Sequence, residues 1–143
     1  LGGSIGSEVM NIDKNEKSIL RLEKVVVEDI SFKRFNTEAT KIEKDAEVSF
    51  SKQLNQMEKS LYKVTVSVGI NSNSVCNMNI TMSGFFRLEE DSTLGKRLLQ
   101  TNAVAILFPY VRSQLTLLTS QPGFDPVILP VMNINALFAN EKY

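Results

Sequence analysis

Residues 102–118, NAVAILFPYVRSQLTLL, form the longest apolar-periodic stretch of the chain, and they carry a proline where a helix interior ordinarily excludes one. Val104, Leu107, Phe108, Val111, Leu115 and Leu118 recur at spacings of three and four. That lays them along one side of an α-helix, with Arg112, Gln114 and Thr116 off the stripe. Pro109 has no N–H and its ring crowds the preceding turn. The pattern therefore predicts either a new helix starting near Phe108, with Pro109 at its first position, or one helix kinked there. Either way the stripe bends, so one half can cover a sheet while the other reaches a neighbouring subunit. Tyr110 and Arg112 flank the bend and read as a junction held by packing and a hydrogen bond.

Just before this stretch, Ser92 or Thr93 can cap a first helix through Leu94, Leu98 and Leu99, with Asn102 marking the joint. Glu89, Glu90 and Asp91 then read as a charged turn favoured by the helix macrodipole rather than as paired catalytic carboxylates. After Ser120, the segment from Gln121 to Asn133, QPGFDPVILPVMN, holds three of the chain's four prolines and cannot be helical. It is an apolar, stiffened loop that must pack on something. Asn133 or Asn135 then caps a short terminal helix through Ala136, Leu137 and Phe138.

The N-terminal half reads as strands. Leu22 to Phe32, LEKVVVEDISF, is rich in β-branched and aromatic residues, but Val26, Ile30 and Phe32 share one parity while Val25 and Val27 take the other. This strand is either apolar on both faces or bulged. Lys33 to Asp45 is polar apart from Phe35 and Ile42 and too long for a hairpin turn, which makes it a crossing loop. Three cleaner alternations follow: Ala46, Val48 and Phe50; Tyr62, Val64, Val66, Val68 and Ile70; and, after the turn Ile70 to Val75, Cys76, Met78, Ile80 and Met82. These imply a four-stranded antiparallel meander with one apolar face. The helices come last, so the class is α+β with helices packed on one face of the sheet.

At 143 residues, with 43% apolar and 22% charged residues, residues 18–143 form one globular domain behind a flexible N-terminal lead-in at 1–17, whose start, Leu1 to Val9, looks least native. Sixteen acidic and sixteen basic residues cancel, which removes the field that would attract nucleic acid. A single Cys76 and no histidine exclude an internal disulfide and a metal-ligand cluster, and a reducing cytoplasm fits. No apolar run approaches the roughly 20 residues of a spanning helix, so membrane insertion is not expected. No glycine-rich phosphate loop or activated nucleophile stands out, and neither an enzyme nor a bound cofactor is expected.

With these elements in place, four ordered motifs resemble the SecB-type molecular chaperones across nearly all of Leu22 to Asn140. Val27 to Lys33, VEDISFK, is similar to that family's K-D-x-S-F-E; Ser83 to Phe86, SGFF, to G-G-I-F; Ile106 to Arg112, ILFPYVR, to I-L-F-P-Y-A-R. Gly123 to Phe138 resembles G-x-F-P-x-L-x-L-P-P-V-N-F-D-A-L-Y, departing at Val131, Met132, Ile134 and Asn135. The resemblance implies a homo-oligomer built as a dimer of dimers. It also implies non-catalytic binding of unfolded polypeptides in hydrophobic grooves and, in the export branch, delivery to the motor SecA. The acidic motor-docking face of that branch keeps Asp29 here but has Lys33 and Asn79 where the family carries glutamates, and the chain is neutral and ends at Tyr143. Weak SecA partnership is the expectation. Two further readings stand beside export: a dedicated chaperone for the antitoxin of a toxin–antitoxin pair, and a scaffold holding a small apolar ligand on the same fold.

The candidate client groove comprises Phe35, Ile42, Phe124 and Leu129, apolar residues placed in loops, together with Met78 and Met82, whose side chains adapt to varied partners. For Met78, Ile80 and Met82 the competing reading is sheet core beneath the helices. The candidate partner face comprises Asp29, Lys33 and Asn79.

Overall fold

The computed structural model describes residues 20–89 and 93–130. The lead-in at 1–17, the Ser92 cap, Glu90 and Asp91, and the terminal helix through Phe138 lie outside the described residues.

Four strands, β1 (Leu20–Arg34), β2 (Glu47–Glu58), β3 (Leu61–Asn71) and β4 (Cys76–Leu88), precede one helix, α1 (Thr93–Thr119). All strand pairs are antiparallel and the order across the sheet is β1-β4-β3-β2. The architecture is the α+β class read from the sequence, but the meander is confined to β2, β3 and β4. β1 pairs with β4, so the loop after Arg34 carries the chain from one edge of the sheet to the other, which a hairpin turn cannot do.

The uneven parity of β1 resolves into two bulges. Leu20 and Leu22 lie opposite Leu88 and Phe86; after one extra residue, Val25 and Val27 lie opposite Gly84 and Met82; after a second, Ile30 and Phe32 lie opposite Ile80 and Met78. Each bulge returns the apolar residues to one side of the sheet and turns Val26 to the other, opposite Ser83. The two extra residues are Glu23 and Glu28, and each is held by a cation from across the sheet, Arg87 of the adjacent β4 and Lys63 of β3 beyond it. Arg87 Nη2 lies 3.2 Å from Glu23 and Lys63 Nζ lies 2.8 Å from Glu28, whose other oxygen accepts from the Ser83 hydroxyl.

α1 runs unbroken through Pro109, and its buried stripe starts before Asn102, at Gly95 and Leu99, and continues through Ala103, Val104, Leu107, Phe108, Val111 and Leu115. The joint expected at Asn102 is therefore absent, and the alternative of a fresh helix at Phe108 fails. Asn102 points to solvent while the apolar spacing passes through it, and only the bond from residue 109 to the Ala105 carbonyl is lost. The helix lies over β4, β3 and part of β1. At Gly84 of β4 a Cβ would stand 3.3 Å from a Leu107 methyl group and 2.8 Å from the Phe86 ring, so any larger residue would force these buried side chains to shift. The core gathers Val64, Val66, Val68, Ile80 and Phe86 of the sheet against that stripe.

Candidate functional site

The side of the sheet that faces α1 is not uniformly covered. On β3 and β4 its side chains are sealed: Val66, Val68 and Ile80 are 0% exposed. On the flanking strands, residues with the same orientation stay open: Val27 and Ile30 of β1 at 42% and 43%, and Val48 and Leu54 of β2 at 43% and 37%. Among the described residues one helix lies over four strands, too narrow to roof them all, and a shallow apolar strip stays open on either side. On the β2 side, Phe50 reaches under the helix to Phe108, with ring centroids 6.1 Å apart, and Lys52 Nζ donates to the Gln100 carbonyl at 3.4 Å.

On the β1 side the strip ends in a knot of loops. The Phe32 and Phe124 rings meet edge to face, with centroids 6.0 Å apart, and the Arg34 guanidinium lies 5.3 Å from the Phe124 centroid. Arg34 also donates to three carbonyls of the crossing loop: from Nε to Asn36 at 3.2 Å, and from Nη2 to Thr37 at 3.3 Å and to Ala39. The crossing loop is tied to the loop after α1 by the Asp125 amide donating to the Thr40 carbonyl at 2.6 Å. It is tied to the β3–β4 turn by the Ser74 hydroxyl donating to Glu43 at 2.8 Å. Hydroxyls of Ser72 and Ser74 beside Glu43 hold its carboxyl below the usual range. In the loop after α1, Pro122 and Gly123 (φ +72°) form a turn closed by the Phe124 amide donating to the Gln121 carbonyl at 3.1 Å, which tucks Phe124 inward. Arg112 Nε then anchors that loop, donating to the Leu129 carbonyl at 2.9 Å, so Arg112 acts at the loop rather than at a helix bend.

The sequence-derived groove residues divide accordingly. Phe35 is 47% exposed, with its amide bonded to the Val75 carbonyl at 2.7 Å. Ile42 is half-buried against the core. Met78, Met82, Phe124 and Leu129 are buried, the methionines beneath the helix and the other two where their loop folds onto the sheet and helix. In the isolated chain these four are core side chains rather than exposed lining. The open apolar residues that sequence reading missed are Val27, Ile30, Val48 and Leu54; hydrophobicity marked them for the covered face, and nothing local told where the helix would stop covering it.

The opposite face of the sheet is open and polar. Thr65 and Ser83 share a hydrogen bond of 2.8 Å, Ser67 and Thr81 one of 2.6 Å, and Asn79 donates to Thr81 at 3.1 Å. Asp29, Lys33 and Asn79 meet here, because Asn79 lies opposite Ser31, between the other two along β1. The glutamates of this face are paired: the Arg87 side chain lowers Glu23, and Lys63 with Ser83 lowers Glu28, both below the usual carboxylate range. Burial pushes the Cys76 thiol up, away from nucleophilic use. Among the described residues no cluster of acids and cysteine is arranged to hold a metal ion, and no helix is long and apolar enough to cross a membrane.

Comparison with known proteins identifies the fold and the relatives. The family model described as preprotein translocase subunit SecB matches residues 13–143. The protein-export protein SecB of Neisseria meningitidis is 30% identical over 138 residues, covering 87% of this chain and 90% of its own; that of Azoarcus is 24% identical over 138 residues, covering 90% and 91%. A solved structure of a SecB-like chaperone of Mycobacterium tuberculosis in complex with a ChAD peptide from an antitoxin superposes with a TM-score of 0.65. It is 11% identical and covers 85% of this chain and 96% of that one.

Proposed function

This chain belongs to the SecB family, and from that premise we propose that it is a holdase: a nucleotide-independent, non-enzymatic chaperone that keeps extended, non-native polypeptide from aggregating. The observation that carries the reading is the open apolar strip of Val27 and Ile30 beside α1, running on to the half-buried Phe32 and the loops pinned by Arg34. Such a strip suits successive apolar side chains of an unfolded client, which exchange water for protein contact without a deep, selective cavity. The buried groove candidates Phe124, Leu129, Met78 and Met82 would form the floor and end wall behind that surface, and Ile42 its rim. The buried free thiol of Cys76 suits a reducing cytoplasm.

The same reading takes the active form to be a homo-oligomer, a dimer of dimers. Leu94, Ile106, Tyr110 and Leu117 of α1 and Ile128 after it are exposed on the outward side, the last two at 63% and 71%, and a second layer would cover them. Within the family, a dedicated antitoxin chaperone is the second reading. It is favoured by the open face around Lys33 and Asn79, whose charges are balanced rather than acidic, and by the likeness of the fold to a chaperone solved with an antitoxin peptide. The test is direct. Purified protein without nucleotide should suppress aggregation of a chemically denatured model protein in a dose-dependent way; an inert protein carrying a lipid-sized adduct in native mass spectrometry would replace the holdase with the small-ligand reading.

A further inference from the structure

We propose that Arg34 is the positioning residue of the client surface, a single side chain that sets the gap between the crossing loop and the loop after α1; this rests on the holdase reading above. Arg34 stands at the last position of β1, opposite the buried Cys76, on the side of the sheet that faces the helix. From there its guanidinium works in two directions. Its N–H groups donate to the carbonyls of Asn36, Thr37 and Ala39, three points on the crossing loop that strand pairing cannot reach. Its guanidinium carbon lies over the ring of Phe124, 5.3 Å from the centroid; Phe124 is the inward-turned residue of the other loop. A planar donor fork with a flat cationic face can do both at once; an ammonium cannot.

Consequences follow for two groups that Arg34 itself leaves exposed. Phe35, an exposed ring with Lys33 Nζ 5.9 Å from its centroid, has its backbone bracketed by Arg34 and by the bond from its own amide to the Val75 carbonyl. Thr40, whose carbonyl receives the Asp125 amide, lies one residue beyond the last carbonyl that Arg34 holds. Releasing the guanidinium would free the segment between Asn36 and Thr40 and loosen the wall formed by Phe124, while leaving the sealed contacts of β3, β4 and α1 untouched. Arg34 thereby acts on client affinity through loop order, holding in advance a geometry that a client would otherwise have to impose.

The test compares the full chain with Arg34→Met, which keeps the stem and loses the fork, and Arg34→Lys, which keeps the charge. A reduced, permanently unfolded model protein serves as the client probe. In both variants hydrogen exchange should rise roughly tenfold across the crossing loop while β3 and β4 amides keep their protection, with Tm moving by no more than about 3 °C. Client affinity should fall by about tenfold in Arg34→Met and by a similar factor in Arg34→Lys, because the fork and not the charge is the working part. Millimolar methylguanidinium should restore part of the binding to an Arg34→Ala variant, whereas equal concentrations of ammonium should not. Unchanged client affinity in Arg34→Met, or exchange that rises equally throughout the sheet, overturns the proposal. A wild-type chain that fails to bind the probe at all overturns the holdase reading instead.

Discussion

The inner and outer strands of this sheet present apolar side chains toward the same helix, yet they are covered to very different extents. Val66 and Ile80 are fully sealed, whereas Ile30, directly opposite Ile80 in the register, is 43% exposed. Residue type and orientation are the same for the two isoleucines; only distance from the helix axis differs. Core and open strip are therefore one continuous apolar layer, divided by where the helix stops covering it.

The sharpest way to break the comparison is to make the same polar change on both sides of that boundary. Val66→Ser removes buried methyl groups and leaves a hydroxyl without water, and should cost about 2 to 4 kcal/mol, read as a fall in Tm on the order of 10 °C. Phe124→Ser belongs to this class too, since the ring is 6% exposed, wedged between Phe32 and Arg34. Thermal unfolding of the two variants checks this, and stability as good as wild type in both would mean that the layer is not a core.

The outer counterpart is Ile30→Ser combined with Phe35→Ser. Both side chains are already more than two-fifths exposed, so the fold should lose little, while the capacity to suppress aggregation should fall by about 1 to 3 kcal/mol of client binding for each anchor removed. Calorimetric unfolding beside an aggregation assay separates the two effects. Full holdase activity in this double variant would move the client surface to the β2 side, where Val48 and Leu54 are the equivalent open pair.

Much of the covered side was legible in advance. Strict alternation along Tyr62 to Ile70 and Cys76 to Met82 read correctly as strands, because a period of two survives wherever one face is wet and the other dry. β1 resisted the same reading: Glu23 and Glu28 each insert an extra residue, and a bulge is a property of pairing with β4 rather than of local propensity. The same non-local pairing hid the placement of β1 beside β4. Asn102 was misleading because asparagine favours helix boundaries, yet on the solvent side of a long helix it costs only a little propensity. As for the candidate site, Phe35 stood out because an aromatic ring in a polar loop is anomalous, and the fold leaves it exposed. Phe124 raised the same signal, but the turn at Pro122 and Gly123 folds it inward, and Val27 and Ile30 gave no signal at all.

A smaller effect is expected on the other face. The resemblance to SecB chaperones implies an acidic docking plane for an export partner, whereas this face is a lattice of Ser, Thr and Asn hydrogen bonds with Lys33 and Asn79 beside Asp29. Lys33→Glu with Asn79→Glu should raise affinity for SecA from weak to measurable and make it salt-dependent, without touching client binding on the covered side. Titration at two ionic strengths checks it; tight binding by the unaltered chain would place the contact on another surface.

The smallest effect expected is a dependence on pH carried by the bulges. Glu23 and Glu28 have folded-state pKa values below their ordinary ones, the first held by Arg87, the second by Lys63 and Ser83, so the native state favours their charged forms. A lowered carboxyl contributes its stability fully above the unfolded value, about 4.3, and loses it as pH falls through the lower folded value. Acidification from about pH 5 toward pH 3 should therefore loosen β1 before the sealed inner strands. The effect is modest because both pairs are open to water. Glu28→Gln should flatten this part of the profile while sparing the inner strands at neutral pH, and site-resolved hydrogen exchange across that range would show it. Protection lost simultaneously in β1 and β3 would mean instead that bulge and core unfold as one unit, and that the boundary between the inner and outer strands is not a boundary in stability.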